Sequence, residues 1–214
     1  MSEIQIDVVT DIVCPWCFIG VVRLHKVLAE NGITARVVHH PFFLDPSVPP
    51  EGIDVAEKLR KRFGGDPSAM FARVEAEARK SGIALDLSKQ PRQRPTGAAH
   101  TLIRHALEKG TQDALATALF EAHFIHALNV ADPDVLAEIA ASHGFSVDEA
   151  RQIATDPSEL EIPRQEAAAA AEGGISGVPF FVFNRRLALS GCQPEDVVEQ
   201  ALAQATGASA AADA

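Results

Sequence analysis

The spacing of apolar positions along this chain shifts between strand and helix periods, and each shift marks an element. Ile4, Ile6, Val8 and Val9 lie in a β-branched run, Ile4–Thr10, that reads as a strand. From Pro15 the period becomes helical: Phe18, Val21, Val22, Leu24, Val27 and Leu28 share a face, and Asn31-Gly32 supplies a stop. Thr34–His39 reads as a second strand, which completes a β-α-β unit. Pro41, Pro46, Pro49 and Pro50 then break the pattern into a loop. From about Asp54 to Asp156 the signals are helical. Asp66-Pro67 and Asp132-Pro133 read as cap and first turn, Ser146-Val147-Asp148-Glu149 as a capping box, and Gly82, Gly110 and Gly144 as stops. Five or six helices are predicted there. An alanine-rich helix over Glu166–Glu172 follows, then strands at Phe180–Phe183 and Leu187–Ser190 joined by a turn at Asn184-Arg185-Arg186. A last helix runs from Pro194 to about Ala205. The small, polar stretch 207–214 reads as a disordered tail.

The order is β-α-β, helical insertion, α-β-β-α. That is an α/β chain in the thioredoxin arrangement, with residues 1–53 and 157–206 forming the thioredoxin-like domain and residues 54–156 an all-helical insertion. The size suits one large core or one domain carrying an insertion.

Composition narrows the function. The net charge of −10 argues against general binding to nucleic acid or anionic membranes. No apolar run approaches the roughly 18 residues that span a bilayer. Met1–Asp7 lacks a basic region followed by an apolar one, so it reads as strand rather than signal peptide, and a cytoplasmic setting is expected. Three cysteines are too few for a disulfide scaffold.

Two of those cysteines form the chemical signature. Cys14-Pro15-Trp16-Cys17 falls where the first strand hands over to the first helix. A thiol at a helix N-terminus is stabilised as thiolate by free N–H groups and the helix dipole. Cys14 is therefore the expected nucleophile, partly exposed and with a lowered pKa, and Cys17 the resolving thiol one turn in. Pro15 fits the first helical position, and Trp16 offers an apolar surface beside the thiol. A zinc half-site would need two more ligands, and the sequence has no second C-x-x-C and no close Cys/His pair, so no metal is expected. Gly177-Val178-Pro179 precedes the third strand. In this order a cis Val178-Pro179 bond facing Cys14 is expected, with the Val178 backbone free to pair with an extended thiol substrate.

These residues resemble the DsbA-like thioredoxin family, in its FrnE-type branch, which is similar in architecture to 2-hydroxychromene-2-carboxylate isomerases and kappa-class glutathione transferases. The resemblance rests on Asp11–Gly20, Pro41-Phe42-Phe43-Leu44-Asp45-Pro46, Ala99-His100, Gly177–Val182, and Ser190-Gly191 with Gln193-Pro194. It implies a thiol–disulfide oxidoreductase acting on protein or small-molecule disulfides. It also implies a helical insertion over the active site, glutathione as redox partner, and no metal or organic cofactor. A homodimer is compatible with it. Phe42, Val178 and His100 join Pro15 and Trp16 as expected substrate-binding residues, around catalytic Cys14, Cys17 and Pro179.

The chain departs from the family in places. The isomerase and kappa branches carry serine where Cys14 stands, so cysteine here favours dithiol redox chemistry. Arg94-Pro95-Thr96 lacks the family's asparagine, and Phe42-Phe43 makes the groove more apolar. Cys192 stands where a small residue is usual. It is either a packed residue or an auxiliary thiol on the Cys14 rim. Asp11 is either a cap for the first helix or a proton acceptor for Cys17, with the cap preferred; Asp7 is another candidate for the buried acid. His39, His40, His100, His123 and His126 read mainly as packed or surface residues, with His100 and His123 as candidates for the cleft. Twelve Lys/Arg against five Asp/Glu between Lys58 and Lys109 read as solvated helix faces, or as a basic rim for an acidic thiol. Two rival functions remain: a glutathione-dependent isomerase or transferase acting on a small aromatic compound, and a thiol-presenting chaperone with an apolar groove at Trp16, Phe42 and Phe43.

Overall fold

A computed structural model of the protein describes residues 4–207. The tail expected to be disordered lies outside them, apart from Gly207, which closes the last helix at φ 75°. Strand β1 (Ile4–Thr10), helix α1 (Pro15–Glu30) and strand β2 (Ala35–Pro41) form the first half. Helix α8 (Pro157–Glu172), strands β5 (Phe180–Phe183) and β6 (Leu187–Ser190) and helix α9 (Glu195–Thr206) form the second. The sheet order is β2-β1-β5-β6. β1 is parallel to β2 and antiparallel to β5, and β6 runs antiparallel to β5. A parallel neighbour needs a crossover, which α1 provides.

Register decides which face carries α1. Val8 lies opposite Phe181 and Ile6 opposite Phe183, and all four are buried. A Cβ added at Gly20 on α1 would stand 3.1 Å from the Phe181 ring, so α1 covers that face. Asp7 lies opposite Val182 on the other face, where it meets His40 at 3.0 Å. Asp7 is therefore not the buried acid. Between β5 and β6, Asn184 and Arg185 take left-handed φ of 49° and 56° and the Arg186 N–H donates to the Phe183 carbonyl at 3.0 Å, the geometry of a type I′ turn. The Asn184 side chain ties this turn to Gln5 and to Ala205 at the end of α9.

The insertion holds six α-helices among the described residues: α2 (Val55–Phe63), α3 (Ser68–Lys80), α4 (Gly97–Ala106), α5 (Gln112–Phe124), α6 (Pro133–Ala141) and α7 (Val147–Thr155). The capping box at Ser146 and the Asp132 cap are both formed. Pro67, rather than Asp66, caps α3, while the Asp66 carboxylate accepts from the Ser68 N–H at 3.1 Å.

Two expectations need correction. The insertion is not wholly helical, because β3 (Ile53–Asp54) pairs with β4 (Arg92–Gln93) at its neck. Two-residue strands carry no alternation to read. The sign that was present is Gly52, whose φ is 74° and where a Cβ would stand 2.7 Å from the Gln93 carbonyl oxygen. Helix α8 also begins at Pro157, nine residues before the alanine-rich stretch. Asp156 caps it, and Pro163 lies inside it. Proline removes one helical donor, which frees the Glu159 carbonyl; the Thr101 hydroxyl approaches that oxygen at 3.4 Å.

The two halves and the insertion share one apolar core. Phe18 of α1 stacks on Phe120 and Phe124 of α5, with ring centroids 5.8 Å apart in each pair. Among the described residues no helix is long and apolar enough to cross a membrane.

Candidate active site

The C-terminal end of β1 and the N-terminal end of β5 meet at one end of the sheet, and the dithiol follows β1 there. Cys14 is the N-cap residue of α1, Pro15 the first helical residue, and no acidic side chain sits in the first turn. The Cys14 carbonyl accepts from the Cys17 and Phe18 N–H groups at 3.0 and 3.2 Å. Both cysteines are free thiols and both are buried, Cys14 at 3% exposure and Cys17 at 0%. The expectation of a partly exposed Cys14 is thus corrected. Trp16 is half-buried and packs on the core beside it.

Burial pushes the Cys17 thiol well above its ordinary pKa, and its hydrogen bond with Cys14 and the Cys14 charge add to that. The Asp11 backbone partly offsets the rise, while the Asp11 carboxylate reinforces it. Cys17 therefore rests as the protonated thiol.

The Val178-Pro179 bond is cis. Pro179 is buried and its Cγ would stand 3.1 Å from a Cβ at Gly20, one turn beyond Cys17 on α1. Its carbonyl accepts from the Gly191 N–H at 2.8 Å. Val178 is half-buried against the core.

Asp11 does not cap α1. Its backbone carbonyl accepts from Cys14 N–H at 2.9 Å, but its side chain turns inward and is buried. One carboxylate oxygen accepts from the Leu44 N–H at 2.8 Å, and the other lies 3.4 Å from His100 Nε2. A cap would need the carboxylate over the helix end, and the segment after β2 captures it instead. Phe42 donates its N–H to the Thr10 carbonyl at 2.9 Å, so it prolongs the β1–β2 pairing. Phe43 is the residue that packs on His100, edge to face with centroids 5.2 Å apart. Phe42, expected at the substrate groove, and Phe43 are both half-buried.

His100 and His123 are both buried near this carboxylate. Burial lowers His123 to about 4, although the Asp11 charge opposes the shift. His39 is buried elsewhere and shares Asp113 with His25, at 2.9 and 3.0 Å. Burial lowers His39 too. His40 and His126 are exposed.

Cys192 is half-buried and lies close enough to Cys14 for the Cys14 charge to reach it. Its neighbour is Arg23, whose guanidinium donates to the Cys192 sulfur at 3.5 Å. Burial raises this thiol to about 11, which favours the packed reading over a reactive one. Arg23 itself was missed in the sequence. It is a buried arginine on α1 bound to Ser81, Glu77 and the Gln193 carbonyl. The available sign was its place three residues after Gly20 and four before Val27, on an apolar stripe.

Half of the basic run is paired with carboxylates. Lys58 binds Asp45 and Gln93, Lys61 binds Glu57, Arg104 binds Glu159, and Lys109 binds Glu149. A groove of about 670 Å³ lies over β3 and α2, lined by charges of both signs from Glu51 to Arg92 and by none of the dithiol residues.

A thioredoxin-type sheet thus carries two thiols at the start of its first helix and a cis-proline just before β5. Residues 5–203 match the model of the DSBA-like thioredoxin domain, and the chain belongs to that family. A Streptomyces coelicolor protein described as a probable DsbA oxidoreductase is 32% identical, with a TM-score of 0.82 over 96% of this chain and 91% of its own. A 2-hydroxychromene-2-carboxylate isomerase shares the fold at 14% identity and a TM-score of 0.72, over 98% of this chain and all of its own. The cytosolic disulfide reductase DsbM of Pseudomonas aeruginosa, solved with GSH, shares it at 17% identity and 0.62, over 94% and 98%.

Proposed function

We propose that this protein is a thiol–disulfide oxidoreductase that works through Cys14 and Cys17 on protein or small-molecule disulfides. The observation that carries the reading is the pair of free thiols at the start of α1, Cys14 at the N-cap and Cys17 one turn in, with Cys17 held protonated by burial. The Cys14 thiolate attacks a substrate disulfide and expels one substrate thiolate. Cys17 then attacks the Cys14 sulfur, closes the ring and releases the second. In the opposite direction a substrate thiolate attacks Cys14 and Cys17 leaves. Val178 offers its backbone to an extended substrate, Pro179 positions it, and Trp16 offers its apolar face. No metal or organic cofactor enters this scheme. Glutathione is the proposed redox partner, as DsbM with GSH illustrates for this fold, and the cytosol the proposed compartment.

The isomerase likeness keeps one alternative in play, a glutathione-dependent isomerase. One experiment separates the two. The parent protein and Cys17→Ser are treated with excess oxidised glutathione and weighed by intact mass. Under the redox reading Cys17→Ser accumulates one glutathione on Cys14, while the parent passes on to the internal disulfide. A parent that stops at the glutathione adduct overturns this reading.

A further inference from the structure

Six buried side-chain atoms of the described residues make no hydrogen bond, and three of them belong to residues that line one cavity: His39 Nδ1, His100 Nε2 and Arg104 Nε. Buried polar groups are nearly always paired, so their concentration at one place calls for a reason. The cavity, about 140 Å³, lies between β2, α4, α5 and α8. Buried His39 and His100 line it together with exposed His40, Leu107 and Glu166, so it reaches from the interior to the surface beside the outer strand β2. Cys14, Cys17 and Pro179 take no part in its lining.

Neighbouring groups fix what these atoms can do. His39 Nε2 stands 2.9 Å from Asp113 Oδ1, and a carboxylate only accepts, so Nε2 carries the ring proton. Burial lowers the pKa of this ring, which leaves it neutral and makes Nδ1 an acceptor. Gln112 holds the strand in place there, accepting from the His39 N–H at 3.0 Å and donating to the His39 carbonyl at 3.2 Å. Arg104 commits Nη2 to Glu159 and His105, and its buried Nε can only donate. His100 Nε2 faces Asp11 Oδ1 at 3.4 Å. One acceptor, His39 Nδ1, and one donor, Arg104 Nε, therefore remain for a guest.

Val38, Pro41, Ile103 and Leu107 make much of the remaining wall apolar. Water against such a wall lacks the roughly two to four polar partners it needs, whereas an apolar cavity of roughly 150 Å³ takes benzene. Charge is already matched, Arg104 by Glu159, while Glu166 disfavours an anion and Arg104 a cation. An ionic guest would bring a charge with no partner, which is costly to bury. We infer that this cavity binds a small uncharged molecule with one hydroxyl on an apolar body of phenol's size. The hydroxyl donates to His39 Nδ1 and accepts from Arg104 Nε, and the body packs on Val38, Ile103 and Leu107. The site is separate from disulfide exchange and does not depend on the dithiol reading.

The test is titration of phenol, benzene and benzoate into the reduced full-length protein, followed by methyl NMR. Phenol should bind one per chain with a dissociation constant of about 1 mM or tighter. Its ring protons should give nuclear Overhauser contacts to the Val38 and Ile103 methyls. Benzene should bind about fivefold more weakly for want of the hydroxyl, and benzoate should not saturate the site. Arg104→Lys keeps the pairing with Glu159 and removes the Nε donor. It should weaken phenol about fivefold and leave benzene unchanged, a split that a general disturbance of the wall would not give. Leu107→Trp, at the exposed mouth, should block phenol, and Cys14→Ser should bind it like the parent. Phenol that does not saturate, benzene or benzoate that binds as tightly, or contacts that map outside the cavity overturn the inference. So does binding that survives Leu107→Trp or is lost in Cys14→Ser. Should a variant not fold, the ligand series and the methyl contacts of the unaltered protein decide by themselves.

Discussion

Two polar clusters lie inside this protein, and they are built in opposite ways. Around Arg23 all three guanidinium nitrogens donate: to Ser81 at 2.8 Å, to Glu77 at 2.5 Å, and to the Gln193 carbonyl at 3.0 Å with Cys192 beside it. Around Asp11 and His100 the atoms that face each other are unbonded. A saturated cluster holds elements together; this one pins α1 to α3 and to the loop between β6 and α9. An unsaturated one leaves groups free for a further partner. The third cysteine belongs to the first kind and the dithiol borders the second. Under the proposed function, that difference separates a thiol that packs from thiols that react.

Breaking the saturated cluster should cost the most. Arg23→Met leaves the Gln193 carbonyl and the Ser81 hydroxyl unpartnered, and urea unfolding should show a loss of about 3 kcal/mol. A loss below about 1 kcal/mol would mean that the cluster does not lock the elements it joins.

The second cluster should reveal itself through pH. His123 is held neutral, with its folded pKa lowered to about 4 by burial. Between the ordinary histidine value and 4 the unfolded chain binds the extra proton and the folded one does not. Stability is therefore present above about 6.5 and falls as pH drops through that window, by at most about 3 kcal/mol. Urea unfolding at pH 7 and pH 4.5 should show the fall in the parent and a flatter profile in His123→Leu. Equal slopes in the two proteins would contradict the assignment.

Gly20→Ala sharpens the boundary between the clusters, because the added methyl would press on Pro179 and Phe181 at 3.1 Å. Thermal unfolding should report about 1–3 kcal/mol of destabilisation, and disulfide exchange should slow as Pro179 shifts. The smallest effect is expected from Cys192→Ala. Turnover of a disulfide substrate should stay within about twofold of the parent, with stability lowered by about 1 kcal/mol. A large loss of turnover would restore the auxiliary-thiol reading.

What could be read from the sequence was local. Cys14, Cys17 and Pro179 announce themselves because spacing, helix start and strand start lie within a few residues of each. Strands β1, β5 and β6 and helix α1 follow from apolar period and end signals. The inward turn of Asp11 was not legible, since it depends on Leu44 and on His100, 33 and 89 positions away. Arg23 was hidden for the same reason, its partners lying on α3 and after β6. The early start of α8 was masked by Pro163, which local propensity reads as a breaker and packing tolerates. The neck ribbon was too short to carry a pattern at all.

The central claim is that Cys14 and Cys17 form a reversible redox pair. Its most direct test is equilibration of the protein in graded glutathione buffers, with Trp16 fluorescence and intact mass read on the same samples. The account predicts one two-electron transition in which the protein loses two hydrogens and the fluorescence of Trp16, beside Cys14 in the sequence, changes in step. Contradiction would be a protein that keeps both thiols, or stops at a glutathione adduct on Cys14, across the whole range.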